Sequence, residues 1–200
     1  MLRGVATGEV SREGLMALML QACGERGYRG VDLDELAATS GAPTPTSWFR
    51  DEADCFAGGY ASEGARLRRL LARARREGGA KREILEAALL GLSALIDERP
   101  AVAKSLFAEV HVVGGPAMRE RARLLADLAR LIDDAYRDDG ILPPPPAGSA
   151  AFMVEVIETV AQRAAVEGDA TVLTEAIPDL AAMLEELYGP ARDSSATEFR

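Results

Sequence analysis

The chain has 200 residues, a formal net charge of −9, and 48% hydrophobic and 28% charged residues. That composition supports a packed core and excludes global disorder. The acidic balance excludes a general affinity for nucleic acid, so any DNA binding must come from a local site.

The residue types favour helices and a cytoplasmic protein. Ala, Leu, Glu and Arg are abundant, whereas Val, Ile and aromatic residues are sparse. We expect no signal peptide, because acidic residues precede the short amphipathic segment from Leu15 to Leu20. No apolar run approaches the ~20 residues of a membrane span. Cys23 and Cys55 form neither a metal-binding spacing nor a disulfide framework, so we expect reduced thiols and no metal. We also expect no cofactor and no membrane partner.

Two capped helices are predicted first. Ser11 is a candidate N-cap for a helix that ends at Gly27. Asp32 and Glu35 form a capping box that opens a second helix, which ends at Gly41. The residues around Gly41 are typical of the turn in a helix-turn-helix, and equally of a plain corner between two helices.

A very short third helix and a long fourth helix follow. Thr44-Pro45 is an N-cap followed by Pro at the first helical position, and this helix reaches only to about Phe49. A second capping arrangement, Asp51 to Asp54, opens a helix that extends to about Arg76. Gly78-Gly79 then breaks the helical pattern.

The rest of the chain is also predicted to be helical, so the fold class is all-α. Pro143 to Pro146 is a stiff connector, Pro178 either starts or kinks the second half of the last helix, and residues 190–200 are a flexible tail. The predicted helices cover about residues 81–98, 100–112, 116–138, 149–167 and 171–188.

The order of residues across 12–60 resembles the TetR/AcrR family of bacterial one-component transcription regulators. The resemblance implies an N-terminal three-helix helix-turn-helix domain at 1–56. The long helix would join it to a C-terminal helical ligand-binding and dimerisation domain at 57–189. The residues that carry the resemblance are Gly27-Tyr28, Asp32, Leu36-Ala37, Ser40-Gly41-Ala42, Phe49, Cys55-Phe56 and Tyr60.

The resemblance implies a repressor rather than an enzyme. It would bind operator DNA as a homodimer and be released by a small apolar ligand. No catalytic constellation stands out in the sequence. The dimer would pair the last two helices of each subunit in a four-helix bundle, through the apolar residues Phe152, Val156, Val160, Leu173, Leu180, Leu184 and Leu187.

The segment that would contact DNA departs from the family pattern. It is shorter, and Glu52 stands where the family usually has a Lys near a phosphate. Trp48 has two interpretations, base contact or packing on the first two helices. An alternative function is therefore a TetR-shaped dimer that binds a ligand or a partner and has lost operator recognition. The candidate DNA-binding residues are Thr44, Thr46, Ser47, Trp48 and Arg50.

A basic run lies in the long helix. Residues 66–82 carry seven Arg and one Lys against one Glu. Phosphate binding is one interpretation. However, Arg66 would lie on the order of 22 Å from the DNA end of this helix, at ~1.5 Å per residue. That distance favours a solvated face or pairing with the acidic C-terminal region. The arginines of the run within the helix are Arg66, Arg68, Arg69, Arg73, Arg75 and Arg76.

The resemblance implies an effector pocket among the C-terminal helices. Residues of this type at helical spacing are also ordinary core residues. His111, the only histidine, fits a pocket donor, a metal ligand, or a core or rim residue. A metal site is disfavoured, because no Cys or carboxylate cluster accompanies it. The candidate pocket residues are Phe107, His111, Met118, Leu125, Phe152 and Val156.

Overall fold

The computed structural model describes residues 10–76, 81–138 and 145–188. All regular secondary structure in these ranges is helical, which confirms the predicted fold class. The predicted break at Gly78-Gly79, the first half of the connector from Pro143 to Pro146, and the tail at 190–200 lie outside the described residues.

Two helices with side-chain caps begin the described chain. Helix α1 spans Arg12–Arg26, and the Ser11 hydroxyl accepts a hydrogen bond from its first turn at 3.1 Å. Helix α2 spans Leu33–Ser40, and the Asp32 carboxylate accepts one from its first turn at 2.8 Å. Both caps lie where the sequence predicts them, because capping depends on local side-chain chemistry.

The remaining helices agree with the sequence prediction except in one segment. They are α3 (Glu52–Arg76), α4 (Lys81–Glu98), α5 (Pro100–Lys104), α6 (Val110–Val113), α7 (Gly115–Asp138), α8 (Ser149–Glu167) and α9 (Thr171–Tyr188). Between α5 and α6, the segment Ser105–Glu109 is π-helical, where a continuous α-helix was predicted. Helix α9 continues through Pro178, which is exposed. Among the described helices, none is long and apolar enough to cross a membrane.

Two clusters of buried side chains hold these helices together. The first joins α1, α2 and the start of α3 to the later chain, through Val102, Leu106 and Val110. The second lies between α4, α8 and α9, and includes Leu89 and Leu173. Burying a Val or Leu side chain contributes about 1.5–3 kcal/mol, so the first cluster ties residues 10–60, which we call the head, firmly to the rest. The proposed domain boundary at 56/57 falls inside α3.

Candidate functional site

The segment between α2 and α3 contains a single helical turn. Gly41 ends α2 in the left-handed conformation, with φ 74° and ψ 21°. Pro45–Ser47 is one turn of 3-10 helix, in which the Pro45 carbonyl accepts hydrogen bonds from the N–H groups of Trp48 at 2.8 Å and Phe49 at 2.9 Å. The third helix is thus even shorter than the sequence predicts. Only one helical turn would be available to contact a groove of DNA.

Four of the five candidate DNA-binding residues lie on the surface of this segment. Thr44, Thr46, Ser47 and Arg50 are exposed, whereas Trp48 is half-buried. The Ser47 hydroxyl donates to the Thr44 carbonyl at 2.8 Å. Phosphate oxygens accept hydrogen bonds, so a donor engaged within the turn cannot also serve them. Thr44 and Thr46 are then the hydroxyl donors that this turn presents.

Acidic side chains surround Arg50. The Arg50 guanidinium pairs with the Asp54 carboxylate at 3.1 Å, and the backbone N–H of Arg50 donates to the same carboxylate at 3.2 Å. These hydrogen bonds hold the pKa of Asp54 below its ordinary value. Asp51 accepts the Asp54 N–H at 2.8 Å as the cap of α3, and Glu52 begins the helix. The exposed Arg12 also acts on Asp54, so two cations stand against three carboxylates, and this excess of negative charge opposes phosphate.

Trp48 and Phe49 belong to the core of the head. Phe49 is 3% exposed, and the Arg12 guanidinium carbon lies 4.7 Å from the centre of its ring. Trp48 packs against the same cluster with part of its side chain. The structure therefore shows the packing that was one of the two interpretations of Trp48. Part of the indole remains exposed at the edge of the turn.

A cavity of about 660 Å³ lies between α3, α4, α7 and α8, and the π-helical segment and α9 also contribute to its wall. Pockets of this volume accommodate small organic ligands. Gly91 lets α4 approach α3 closely, since a Cβ there would lie 2.6 Å from the Leu70 Cδ2. The wall is mainly aliphatic and includes Leu67, Leu92, Leu95, Leu124, Leu128 and Ile157.

Two of the six candidate pocket residues line this cavity, Phe107 and Leu125. His111 and Phe152 are exposed, Met118 packs against the head-side cluster, and Val156 packs against the second cluster. These four therefore do not belong to the cavity wall. For Phe152 and Val156 the cause is rotational register, because the neighbouring positions Met153, Val154 and Ile157 of α8 line the cavity in their place.

Two ion pairs are built into the cavity region. Arg99 donates to the Glu63 carboxylate at 2.7 Å, and both side chains are mostly buried. Arg121 binds Glu158 through both carboxylate oxygens, with the Nε to Oε1 distance at 2.6 Å. Glu63, Arg99 and Glu158 line the cavity directly. Each pair is internally neutral, so neither gives the cavity a net charge.

The arginines of α3 were not predicted to lie at a cavity. Arg68 pairs with Asp127 of α7 at 3.3 Å, which matches the predicted pairing with acidic residues of the C-terminal region. Their distance from the DNA end of the helix had favoured a solvated face or pairing with the acidic C-terminal region. The spacing i, i+3, i+7 was the available signal, because it puts three arginines on the flank that carries Leu70. The arginines that line the cavity are Arg66, Arg69, Arg73 and Arg75.

The π-helical segment contacts both the cavity and the head. The fully buried Ser105 hydroxyl donates to the Leu20 carbonyl of α1 at 2.5 Å. The Glu109 carboxylate accepts the Tyr28 N–H at 2.8 Å. Between these two residues, Leu106 and Phe107 line the cavity. A five-residue segment thus connects the cavity wall to the backbone of the head.

The apolar residues expected at a dimer interface divide into three groups. Leu173, Leu180 and Leu184 are buried in the second cluster, so they stabilise the subunit itself. Val156, Val160 and Leu187 are half-buried. Phe152 is 55% exposed, and Val166, which was not predicted, is 60% exposed on the same helix. The separation of 14 residues along α8 places these last two on one face.

Comparison with known proteins supports the fold. The structure is similar to a solved structure of the fatty acid degradation regulator FadR from Bacillus halodurans, with a TM-score of 0.70 and 12% sequence identity. The match covers 93% of this chain and 97% of that chain. No protein-family model matches the sequence, and no curated protein matches it. The likeness is one of fold, and the neighbour is a regulator rather than an enzyme.

Proposed function

We propose that the protein is a TetR/AcrR-like one-component transcriptional regulator, a repressor that binds DNA as a homodimer and is released by a small ligand. The observation that carries this proposal is the position of α3. Its first residue follows the turn at 41–50, and its second half lines the cavity. One rigid helix therefore links the candidate DNA-facing segment to the candidate ligand site.

The contacts of the π-helical segment support a route for release. Leu106 and Phe107 form part of the cavity wall, while Ser105 and Glu109 bond to the backbone of the head. A ligand that moves this wall would change the position of the head relative to the second half of α3. Such coupling requires that the ligand and DNA prefer different arrangements, and each would then lower the affinity for the other by the same factor.

The exposed face of α8 supports a homodimer. Phe152 and Val166 are large apolar side chains left at the surface of a single subunit, and such positions commonly become buried at interfaces. Sedimentation equilibrium of the purified protein at micromolar concentration should show a dimer. Phe152→Glu with Val166→Glu should shift it to monomer, whereas Val112→Glu, at another exposed valine, should not. A monomeric wild-type protein would rule out this part of the proposal.

DNA recognition is tested by selection from a randomised duplex library with the full-length protein. A two-fold symmetric regulator should enrich an inverted repeat whose half-sites lie about one helical turn apart, roughly 10 base pairs. The head variant Thr44→Ala with Thr46→Ala should lose this enrichment, because these residues present the hydroxyl donors of the turn. No enrichment from a protein shown to be a folded dimer would refute operator binding.

A second candidate function is a ligand-binding or partner-binding dimer of the same shape without operator recognition. The observation that favours it is the turn itself, where Pro45–Ser47 is a single 3-10 turn beside Asp51, Glu52 and Asp54. This function predicts a stable dimer and a competent cavity together with a failed selection. The two candidate functions therefore predict different outcomes only in the DNA selection experiment.

A further inference from the structure

We propose that the cavity binds an amphipathic anion, in which an acidic head group, a carboxylate or a phosphate monoester, is joined to a long apolar tail. This proposal rests on the effector role proposed above, and it replaces a purely apolar ligand with a charged one. Two properties of the cavity carry it, an aliphatic interior and an excess of arginine along one helix.

The interior suits an unbranched apolar tail. The wall consists mainly of leucine side chains from α3, α4 and α7, joined by Phe107 and Met153. The two ion pairs, Glu63 with Arg99 and Glu158 with Arg121, satisfy their own charges. A neutral polar ligand would find few polar partners in this interior, whereas an aliphatic chain needs none.

Two structural roles account for other arginines of α3, an ion pair and the helix dipole, and neither applies to Arg66 or Arg69. Arg68 pairs with Asp127. Arg73 and Arg75 lie in the last turn, where cations stabilise the helix dipole, and this effect falls off within one turn. Arg66 and Arg69 lie earlier in the helix. Both are exposed, no ion pair of theirs occurs among the described residues, and both line the cavity.

The local charge favours an anion. Apart from the two internal pairs, the wall contains one further carboxylate, Glu98, so arginine is in excess in this wall although the protein has a net charge of −9. The planar guanidinium donates two parallel hydrogen bonds, a geometry that matches carboxylate and phosphate oxygens. The aliphatic stem of each arginine can meanwhile cover the start of an apolar tail.

Binding of four probes with the same tail tests the proposal, using the full-length protein and concentrations below micelle formation. Dodecanoate and dodecyl phosphate carry the two anionic heads, dodecanol has no charge, and dodecylamine is a cation. At least one anion should raise the melting temperature and bind roughly tenfold or more tightly than dodecanol, since hydrogen bonds between charged groups are stronger than those of a neutral hydroxyl. The comparison between the two anions identifies the preferred head.

Substitutions of Arg66 and Arg69 test whether these arginines bind the acidic head group. Arg66→Glu with Arg69→Glu should remove the preference for the anion and leave dodecanol binding unchanged. Arg66→Gln with Arg69→Gln should weaken the preference without reversing the charge, which covers the case in which the first variant does not fold. Arg119→Glu is the matched control, because Arg119 is an exposed arginine of α7 that does not line the cavity.

The outcomes separate this proposal from the proposed function. Equal affinity for dodecanol and both anions, no binding of any probe, or an anion preference that survives both double variants would overturn the ligand class. Binding of the anion without release of a selected operator would retain the ligand class and contradict the regulator. Release of the operator by the anion from wild type, but not from the arginine variants, would support both.

Discussion

The turn at 41–50 and the cavity differ in the surroundings of their arginine side chains. At the turn, Arg50 pairs with Asp54 and is flanked by Asp51 and Glu52. At the cavity, Arg66 and Arg69 lie along an aliphatic wall. The sequence has the same division, since residues 1–63 carry five Arg against ten acids and residues 66–82 carry seven Arg and one Lys against one Glu.

Under the proposed function, this contrast means that positive charge in the chain would contribute more to ligand binding than to DNA binding. The salt dependence of DNA binding scales as about 0.9 per neutralised phosphate. A head with so few available cations should therefore have a shallow salt dependence. Its recognition of DNA would depend on hydroxyl donors and shape, whereas the recognition of a ligand would depend on arginine. The predictions below test the two regions separately and then their connection.

The largest expected effect is at the connection between the head and the cavity-bearing helices. In Gly24→Ala, the new Cβ would lie 1.8 Å from the Ala101 carbonyl oxygen, a backbone atom that cannot rotate away. Helix propensity alone would favour Ala by about 1 kcal/mol. The clash should dominate, at roughly 3 kcal/mol or more of lost unfolding free energy. Thermal melting followed by circular dichroism measures it.

Gly30→Ala is the matched control for that substitution. There the nearest atom to a new Cβ is the Arg26 Cβ at 3.6 Å, an ordinary contact. Its melting temperature should stay close to that of the wild type. A Gly24→Ala protein with wild-type stability would show that α1 and α5 can separate at little cost, and that the head is not rigidly tied to the later helices.

Trp48→Ala should have the next largest effect. A fully buried Trp costs about 3–5 kcal/mol when truncated to Ala, and Trp48 is half-buried, so we expect about 2 kcal/mol. Trp48→Phe should recover most of this loss. Circular dichroism melting gives the stability, and binding to a selected operator gives the recognition. Unchanged stability with lost discrimination between operators would assign Trp48 to base contact. The head would then recognise DNA sequence more strongly than its charge suggests.

Glu52→Lys should strengthen DNA binding severalfold for all sequences. The substitution replaces a repulsive charge at the start of α3 with an attractive one and adds no base contact. The slope of log affinity against log salt should steepen by about 0.9 for each added phosphate contact. Glu167→Lys makes the same charge change on α8 and should leave both quantities unaltered. No gain from Glu52→Lys would mean that the start of α3 does not face the DNA backbone.

The sequence predicted helix limits well, because caps and glycine stops are local. Asp32 caps α2 and Gly41 ends it as predicted. These features depend on hydrogen bonds between residues a few positions apart. The π-helical segment was not predictable in this way, since its distinctive bonds join Ser105 to Leu20 and Glu109 to Tyr28 across distant parts of the chain.

The cavity wall was predicted poorly for a related reason. Each helical position is rotated about 100° from the next, so a small error in register exchanges a wall residue for a surface residue. Phe152 was predicted at the wall, and the adjacent Met153 lies there. Register is set by packing against distant helices, such as α3 against α7 where Gly64 meets Leu124. Periodicity in one helix does not contain that information.

The smallest effect at neutral pH concerns the closed core of the head, in contrast to the open cavity. Cys23 and Cys55 are fully buried, and burial raises the pKa of each thiol from 9.0 to about 12. The reactive thiolate is therefore scarce in the folded protein. A thiol reagent should modify the native protein slowly and the denatured protein quickly. Rapid modification under native conditions would show that the head opens readily.

The same pKa shifts predict how stability changes with pH. Because the folded protein holds these thiol protons more tightly than the unfolded chain, it binds more protons in the interval above pH 9.0. The stabilisation is fully present below that value and is lost as pH rises towards about 12. Burial raises the pKa of Tyr60 as well, which adds a loss of the same sign. Melting temperatures should therefore fall steeply above pH 9.0, and Cys55→Ala, which removes one titrating group, should make that fall shallower than in the wild type. An equal slope in the two proteins would show that Cys55 does not contribute to the alkaline sensitivity.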